Sequence, residues 1–201
     1  MPKEWVRKRK NDHYYRKSKE EEYRSRATYK LLQAAEKHGF MKTGDIVVDL
    51  GAAPGGWLQA ARKIVGDEGF VLGVDLNEIE PLESPNIHVI TGDIRDPDMP
   101  NRIRSLLPHP ADVVVSDVAP SVSGIWEVDH ARQIELAENS LKIAILVLGT
   151  NGNFFVKVFQ GDLFNQFLSK VRKHFRSVKI VKPKASRAES AEVYVLGMNQ
   201  K

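Results

Sequence analysis

Five short runs in which nearly every residue is apolar alternate with stretches of helical periodicity, and this restricts the fold more than any other feature of the chain. The runs are "DIVVDL" (45 to 50), "GFVLGVDL" (69 to 76), "NIHVITGDI" (86 to 94), "ADVVVSDVA" (111 to 119) and "NGNFFVKVF" (151 to 159). A strand apolar on both sides must be covered on both faces, so such runs predict a doubly wound α/β domain with a mostly parallel sheet. Helices are expected over 26 to 38 with Gly39 as its stop, over "GGWLQAARKIVG", over "DLFNQFLSKVRKHF", and over "DHARQIELAENSLKIAILVLG", opening on Asp129 as a cap and closing on Gly149. Two β-rich stretches, "SVKIVK" and "AEVYVLGM", follow. Ligands of doubly wound sheets lie beyond the carboxyl ends of the strands. Asp49, Asp75, Asp93 and Asp117 stand at those ends, and Lys157 lies inside the fifth strand.

The turn after the first run, "DLGAAPGGW" (49 to 57), is rich in residues that let a backbone approach a ligand. It is not the dinucleotide fingerprint G-x-G-x-x-G, because Ala53 stands where the second glycine is required. Nor is it a phosphate-binding Walker loop, since no Gly-Lys-Ser/Thr follows. What remains is a strand-to-helix turn whose helix N-terminus attracts negative charge. Asp75, at the end of the next strand, occupies the place where an acid commonly takes both hydroxyls of a ribose, and the pairing favours an adenosine-containing ligand.

At 201 residues the chain has the length of one ordinary domain. It contains no cysteine, which removes disulfides, thiolate metal sites and cysteine nucleophiles. His13, His38, His88, His109, His130 and His174 are scattered without ligand spacing, so no metal site is expected. No apolar run approaches the roughly 18 residues of a membrane span, and the basic N-terminus lacks the apolar core of a secretory signal. A cytoplasmic protein without membrane contact is the expectation. The charge is uneven: residues 1 to 26 carry ten Lys/Arg against five Asp/Glu, and Lys170, Arg172, Lys173, Arg176, Lys179, Lys182, Lys184 and Arg187 form a second basic stretch with no acid among them. Such faces suit a polyanion, because counterion release from phosphates supplies most non-specific nucleic-acid affinity. Trp5, Tyr14, Tyr15 and Tyr23 add aromatics available to stack unpaired bases.

"VVDLGAAPGGW" resembles the S-adenosylmethionine loop of the FtsJ/RrmJ ribosomal RNA 2′-O-methyltransferase family, and "SRATYKL", "SDVAP", "FFVKVF" and "SRAESAEVYVL" resemble its other motifs. The resemblance runs nearly end to end. It implies a Rossmann-like methyltransferase sheet of seven strands with the last antiparallel, a basic arm over 1–25 and one catalytic domain over 26–201. It also implies S-adenosyl-L-methionine as cofactor. The family's Lys-Asp-Lys-Glu tetrad falls on Lys30, Asp117, Lys157 and Glu192, and its cofactor contacts on Gly55, Trp57, Asp75, Asp93 and Asp117. The implied substrate is RNA, most specifically the ribose of a uridine in large-subunit (23S) ribosomal RNA, and the compact chain resembles prokaryotic members. A transfer RNA anticodon-loop methyltransferase and a non-catalytic ribosome-assembly factor are the alternatives, and a monomer is expected.

The chemistry agrees with those residue types. A sulfonium already activates its leaving group, so the protein must mainly position and deprotonate the nucleophile. A lysine takes a proton only when neutral, a state favoured by desolvation or by a like charge such as Lys30 and opposed by Asp117 and Glu192. Lys157 therefore either accepts the hydroxyl proton or orients the hydroxyl while the proton goes to water. Cytosine C5 methylation generally needs a cysteine, which is absent. Methylation of exocyclic amines usually needs an Asn/Asp-Pro-Pro-aromatic motif, where this chain has "DVAPSVSG".

Overall fold

The computed structural model describes residues 12–201. Its elements are α1 (His13–Glu20), α2 (Thr28–His38), β1 (Ile46–Leu50), α3 (Gly56–Val65), β2 (Phe70–Asp75), β3 (Ile87–Thr91), α4 (Met99–Leu106), β4 (Ala111–Ser116), α5 (Trp126–Val147), β5 (Leu148–Phe159), α6 (Phe164–His174), β6 (Phe175–Val181) and β7 (Glu192–Gln200). The strands form one seven-stranded sheet in the order β3-β2-β1-β4-β5-β7-β6. All neighbours pair in parallel except β7, which lies antiparallel between β5 and β6. The doubly wound sheet with an antiparallel last strand is thus present.

The central strands are apolar throughout because both faces are covered. All five residues of β1 are buried. Leu31, Trp57, Leu58, Phe155 and Leu196 pack on the face covered by α2 and α3, whereas Val48, Ile103, Leu141, Phe154 and Phe167 pack on the face covered by α4, α5 and α6. Burying each such side chain contributes about 1.5–3 kcal/mol before entropy is charged against it. Among the described residues no helix is long and apolar enough to cross a membrane.

Four departures from the sequence reading have physical causes. The third run shortens to β3 and stands at the sheet edge, where Val89 is exposed. Helix α4 was not expected, since it has only eight residues and carries Pro100 in its first turn. Helix α5 starts three residues before Asp129. That carboxylate caps nothing of its own and instead accepts from Ser123 N (2.8 Å), Ser123 Oγ (2.7 Å) and Gly124 N (3.1 Å), pinning the loop ahead of the helix. Finally, Tyr14 and Tyr23 are not free to stack on bases. Both pack on Tyr29, at ring separations of 5.5 and 5.6 Å, and the Tyr23 hydroxyl accepts from Lys63 Nζ. Asp12 draws this segment in by capping α1 through Tyr15 N and pairing with Arg26. Trp5 and the basic cluster Arg7 to Lys10 lie outside the described residues.

Candidate active site

A cavity of about 740 Å³ opens beyond the carboxyl ends of β1, β2 and β4. Its floor is the glycine turn. Gly51 has φ +82°, and a Cβ there would come within 2.9 Å of the Val118 side chain, so only glycine lets the turn run against the chain leaving β4. Asp75 lines the cavity and organises that turn: one carboxylate oxygen accepts from Ala53 N (2.9 Å), the other from Asn77 N (2.8 Å). Asp93 lines it too, held below the usual carboxylate range by hydrogen bonds from the Arg95 guanidinium and backbone.

Gly55 and Trp57 do not line this cavity. The Trp57 ring is only 4 % exposed, donates its indole N–H to Ala27 O (2.8 Å) and stacks on Phe155. Gly55, at φ +106°, faces the Arg24 side chain. Arg24 in turn donates to Pro54 O (3.1 Å), Glu80 O (2.6 Å) and Pro81 O (2.7 Å), tying the turn to the segment after β2. These residues hold the shape of the cavity from behind its wall.

Beneath the turn lies Asp49, fully buried, with neither carboxylate oxygen hydrogen-bonded. Burial pushes this acid well above its ordinary value, and the neighbouring carboxylates of Asp117 and Asp75 push it further. Asp75, Asp93 and Asp117 line the cavity itself, an arrangement that favours a cationic guest.

The sheet register assembles the other end of the site. Antiparallel pairing sets Lys157 opposite Tyr194 and Phe159 opposite Glu192. Lys157 Nζ lies 3.2 Å from Asp117 Oδ1 and donates to the Asp117 carbonyl at 2.5 Å. Lys30 Nζ, reaching in from α2, lies 2.7 Å from Glu192 Oε1. The side chains of Lys30 and Glu192 are each only 13 % exposed, so neither is an ordinary surface charge. Lys30, Asp117, Lys157 and Glu192, scattered over 163 positions of sequence from 30 to 192, meet here.

Tyr194 joins the two pairs, and sequence reasoning missed it. Its hydroxyl donates to Asp117 Oδ1 (2.6 Å) and lies 3.5 Å from Glu192 Oε1, while Lys30 Nζ sits 5.7 Å from the ring centre. Burial and the facing carboxylates of Asp117 and Glu192 raise the phenol well above its ordinary value, so it is a donor throughout the physiological range. The available signal was the two-residue spacing from Glu192 on one strand, which puts both on the same face. Gln133 was missed as well: its amide donates to Lys157 O (3.1 Å) and Val118 O (3.3 Å), fixing β5 against the chain after β4. Burial favours a neutral Asp117, yet the ammonium groups of Lys157 and Lys30 and the Tyr194 hydrogen bond outweigh it, and the carboxylate titrates below its usual range.

Replacing Tyr194 with phenylalanine removes one charge-assisted hydrogen bond and no packing. The expected result is about a tenfold fall in kcat, the equivalent of about 1.4 kcal/mol, with cofactor affinity unchanged. An unaltered rate under single-turnover conditions would show that the hydroxyl does not help hold Asp117.

Sheet order, the antiparallel seventh strand and an acid-lined cavity over a glycine turn together define a Rossmann-like methyltransferase. Residues 23–200 match the FtsJ-like methyltransferases, and the chain belongs to that family. The "Ribosomal RNA large subunit methyltransferase E" of Methanococcus aeolicus is 54 % identical over 195 residues, covering 97 % of this chain and 72 % of the relative. The protein of the same name from Methanothermobacter thermautotrophicus is 49 % identical over 201 residues, covering 100 % and 95 %. Among solved structures, a ribosomal RNA methyltransferase of Plasmodium falciparum superposes with a TM-score of 0.78 at 26 % identity, covering 89 % of this chain and 98 % of that one. Aeropyrum pernix fibrillarin, solved with bound S-adenosyl-L-methionine, shares the fold at a TM-score of 0.61 and 19 % identity, covering 87 % and 75 %.

Proposed function

We propose that the protein transfers a methyl group from S-adenosyl-L-methionine to the ribose 2′-hydroxyl of RNA, at a uridine of large-subunit ribosomal RNA. The names of the archaeal relatives support ribosomal RNA as the substrate. One observation carries the choice of a hydroxyl: a buried lysine amine, Lys157, is held against Asp117, and Asp117 itself lines the cavity. Such an amine suits an alcohol nucleophile, and no side chain here offers the cysteine that carbon methylation would need.

The cavity suits the cofactor. Asp75 stands where an acid takes ribose hydroxyls, and Asp75, Asp93 and Asp117 on the cavity wall give a negative field for a molecule carrying both a sulfonium and an ammonium. When bound, S-adenosylmethionine supplies an electrophilic methyl group on sulfur. Asp117 spans the two halves of the site, forming part of the cavity wall and fixing Lys157. Two of the three substituent positions on Nζ are turned to Asp117, through its carbonyl and its carboxylate. The third is left for the incoming hydroxyl, which it orients as an N–H donor or deprotonates as an amine lone pair. Lys30 and Glu192, paired with each other and tied to Asp117 through Tyr194, keep a charged and rigid surround for that group.

RNA would approach over the basic face. Arg172, Lys173, Arg176, Lys179, Lys182, Lys184 and Arg187 are all exposed, and the segment carrying Lys184 and Arg187 also carries Ser186, whose hydroxyl donates to Glu192 Oε1 at 3.1 Å. The deciding experiment incubates the protein with S-adenosylmethionine and either ribosomal or transfer RNA and maps ribose methylation. Methyl groups on large-subunit RNA at a uridine 2′-oxygen are the expected result. Methylation of transfer RNA instead, or of a base, would overturn the assignment.

A further inference from the structure

Helix α5 begins with an indole that the chemistry above does not use. Trp126 is 45 % exposed, yet its ring is not loose: it lies nearly parallel to His130, with centroids 5.6 Å apart and planes at 14°, and to Phe159, at 6.1 Å and 21°. His130 is itself immobilised. Its Nε2 accepts from Leu163 N (3.1 Å), and the backbone at Gly161 lies so close that a Cβ there would come within 2.8 Å of the imidazole. Ahead of the indole, Val122 and Ile125 are 78 % and 57 % exposed, on the loop that Asp129 pins through Ser123 and Gly124. Leu163, whose backbone N–H meets that imidazole, is 37 % exposed. Three large apolar side chains thus meet solvent beside one exposed ring that its contacts with His130 and Phe159 hold in place.

Placement says what this platform is for. Phe159, on which the indole rests, follows Lys157 by two residues on β5, a distance of about 7 Å along the strand at about 3.3 Å per residue. The indole lies a further 6.1 Å from the Phe159 ring, which puts it within reach of a nucleotide adjoining the one whose ribose meets Lys157. The platform adjoins the cavity: Ser121, one residue before Val122, lines it, and so do Arg132 and Glu135 of the same helix, whose first turn carries Glu127 and Asp129. An exposed aromatic at the lip of the cavity, on the segment that follows Ser121 of its lining, matches an unpaired base of single-stranded nucleic acid better than an apolar protein surface.

We infer that Trp126 is the stacking platform for an unpaired nucleobase of the RNA, with Val122 and Ile125 as its rim, so that a base adjoining the target nucleotide is parked on α5 while the target ribose faces Lys157. The inference rests on RNA being the substrate. Stacking is indifferent to base identity, so the platform contributes affinity and register, not sequence choice.

The test is binding, which does not depend on methyl transfer. Full-length protein is titrated into a fluorescent eight-residue oligouridylate and into an oligomer of equal length and charge that lacks its bases. Trp126→Ala is expected to weaken oligouridylate binding about 10- to 100-fold and to leave the abasic oligomer bound as by wild type. Trp126→Phe should keep most of the affinity, and cofactor binding should be unchanged in both. Equal affinity of wild type and Trp126→Ala for oligouridylate would overturn the inference, as would an equal loss on the abasic oligomer, since the effect would then not pass through a base. Should Trp126→Ala unfold, the pair Val122→Ser and Ile125→Ser, which leaves the stack on His130 intact, must still lower affinity for the oligouridylate selectively. Oligouridylate binding lost on cue, in a wild type that methylates no RNA, would sink the proposed reaction and leave the platform standing.

Discussion

Lys157→Ala is expected to lower kcat by about 10³-fold, within the range that removing a positioned proton-transfer group produces, while the Kd for RNA and for the cofactor stay within a few-fold of wild type. The split follows from geometry: the amine lies 3.2 Å from a carboxylate on the cavity wall but is itself only 6 % exposed, so it has little surface with which to bind either ligand. Lys157→Arg separates the two roles. A guanidinium keeps N–H donors but does not give up its proton in a protein, so an enzyme that needs only orientation retains a measurable fraction of its rate, and one that needs a proton acceptor is as dead as the alanine variant. In the second case wild-type turnover also rises towards alkaline pH. Full methyl-transfer activity in Lys157→Ala would remove the amine from the chemistry and leave its pairing with Asp117 a structural one.

How much of this the sequence disclosed depends on which forces act locally. Strands β1, β2 and β4 were plain because burial on both faces leaves a continuous apolar run, and Gly39 marked the end of α2 because it closes the helix with φ +62°. Helix α4 was hidden by its length, and the start of α5 by an aspartate whose hydrogen bonds run backwards to Ser123 and Gly124. The tetrad positions could be named from local words, but their burial and their pairing could not. Tyr194 illustrates the reason. In the chain it is one more position in an apolar strand, and only the register of β7 against β5 sets it beside Lys157. Likewise Tyr14 and Tyr23 read as free aromatics in a basic arm until Asp12 and Arg26 fold that segment onto Tyr29. Pattern carries what neighbours in sequence decide; pairing across the sheet decides the rest.

Asp117→Ala is expected to destabilise the fold more than any other single change in the site, by about 3–5 kcal/mol, because it leaves the Lys157 ammonium buried without its counter-charge. For a chain of this size that is a fall in Tm on the order of 10 °C. Adding Lys157→Met should restore most of the loss, since removing both members of a buried pair costs far less than removing one. The pH dependence has a definite sign. Asp117 titrates below its ordinary range, so its contribution is present in full above the unfolded value of about 3.9 and disappears as pH falls through the lower folded value. Asp49 has the opposite sign: its folded value is raised by burial, so its contribution is complete below the ordinary carboxylate range and is lost as pH climbs through that raised value. The gap in Tm between wild type and Asp117→Ala should therefore be constant at neutral pH and close in acid, whereas Asp49→Asn should gain on wild type as pH rises. Calorimetry of the three proteins across the acid and neutral range reads both slopes. A gap that persists undiminished in strong acid would mean that the carboxylate is not what holds Lys157, and the pairing on which the site is built would fall with it.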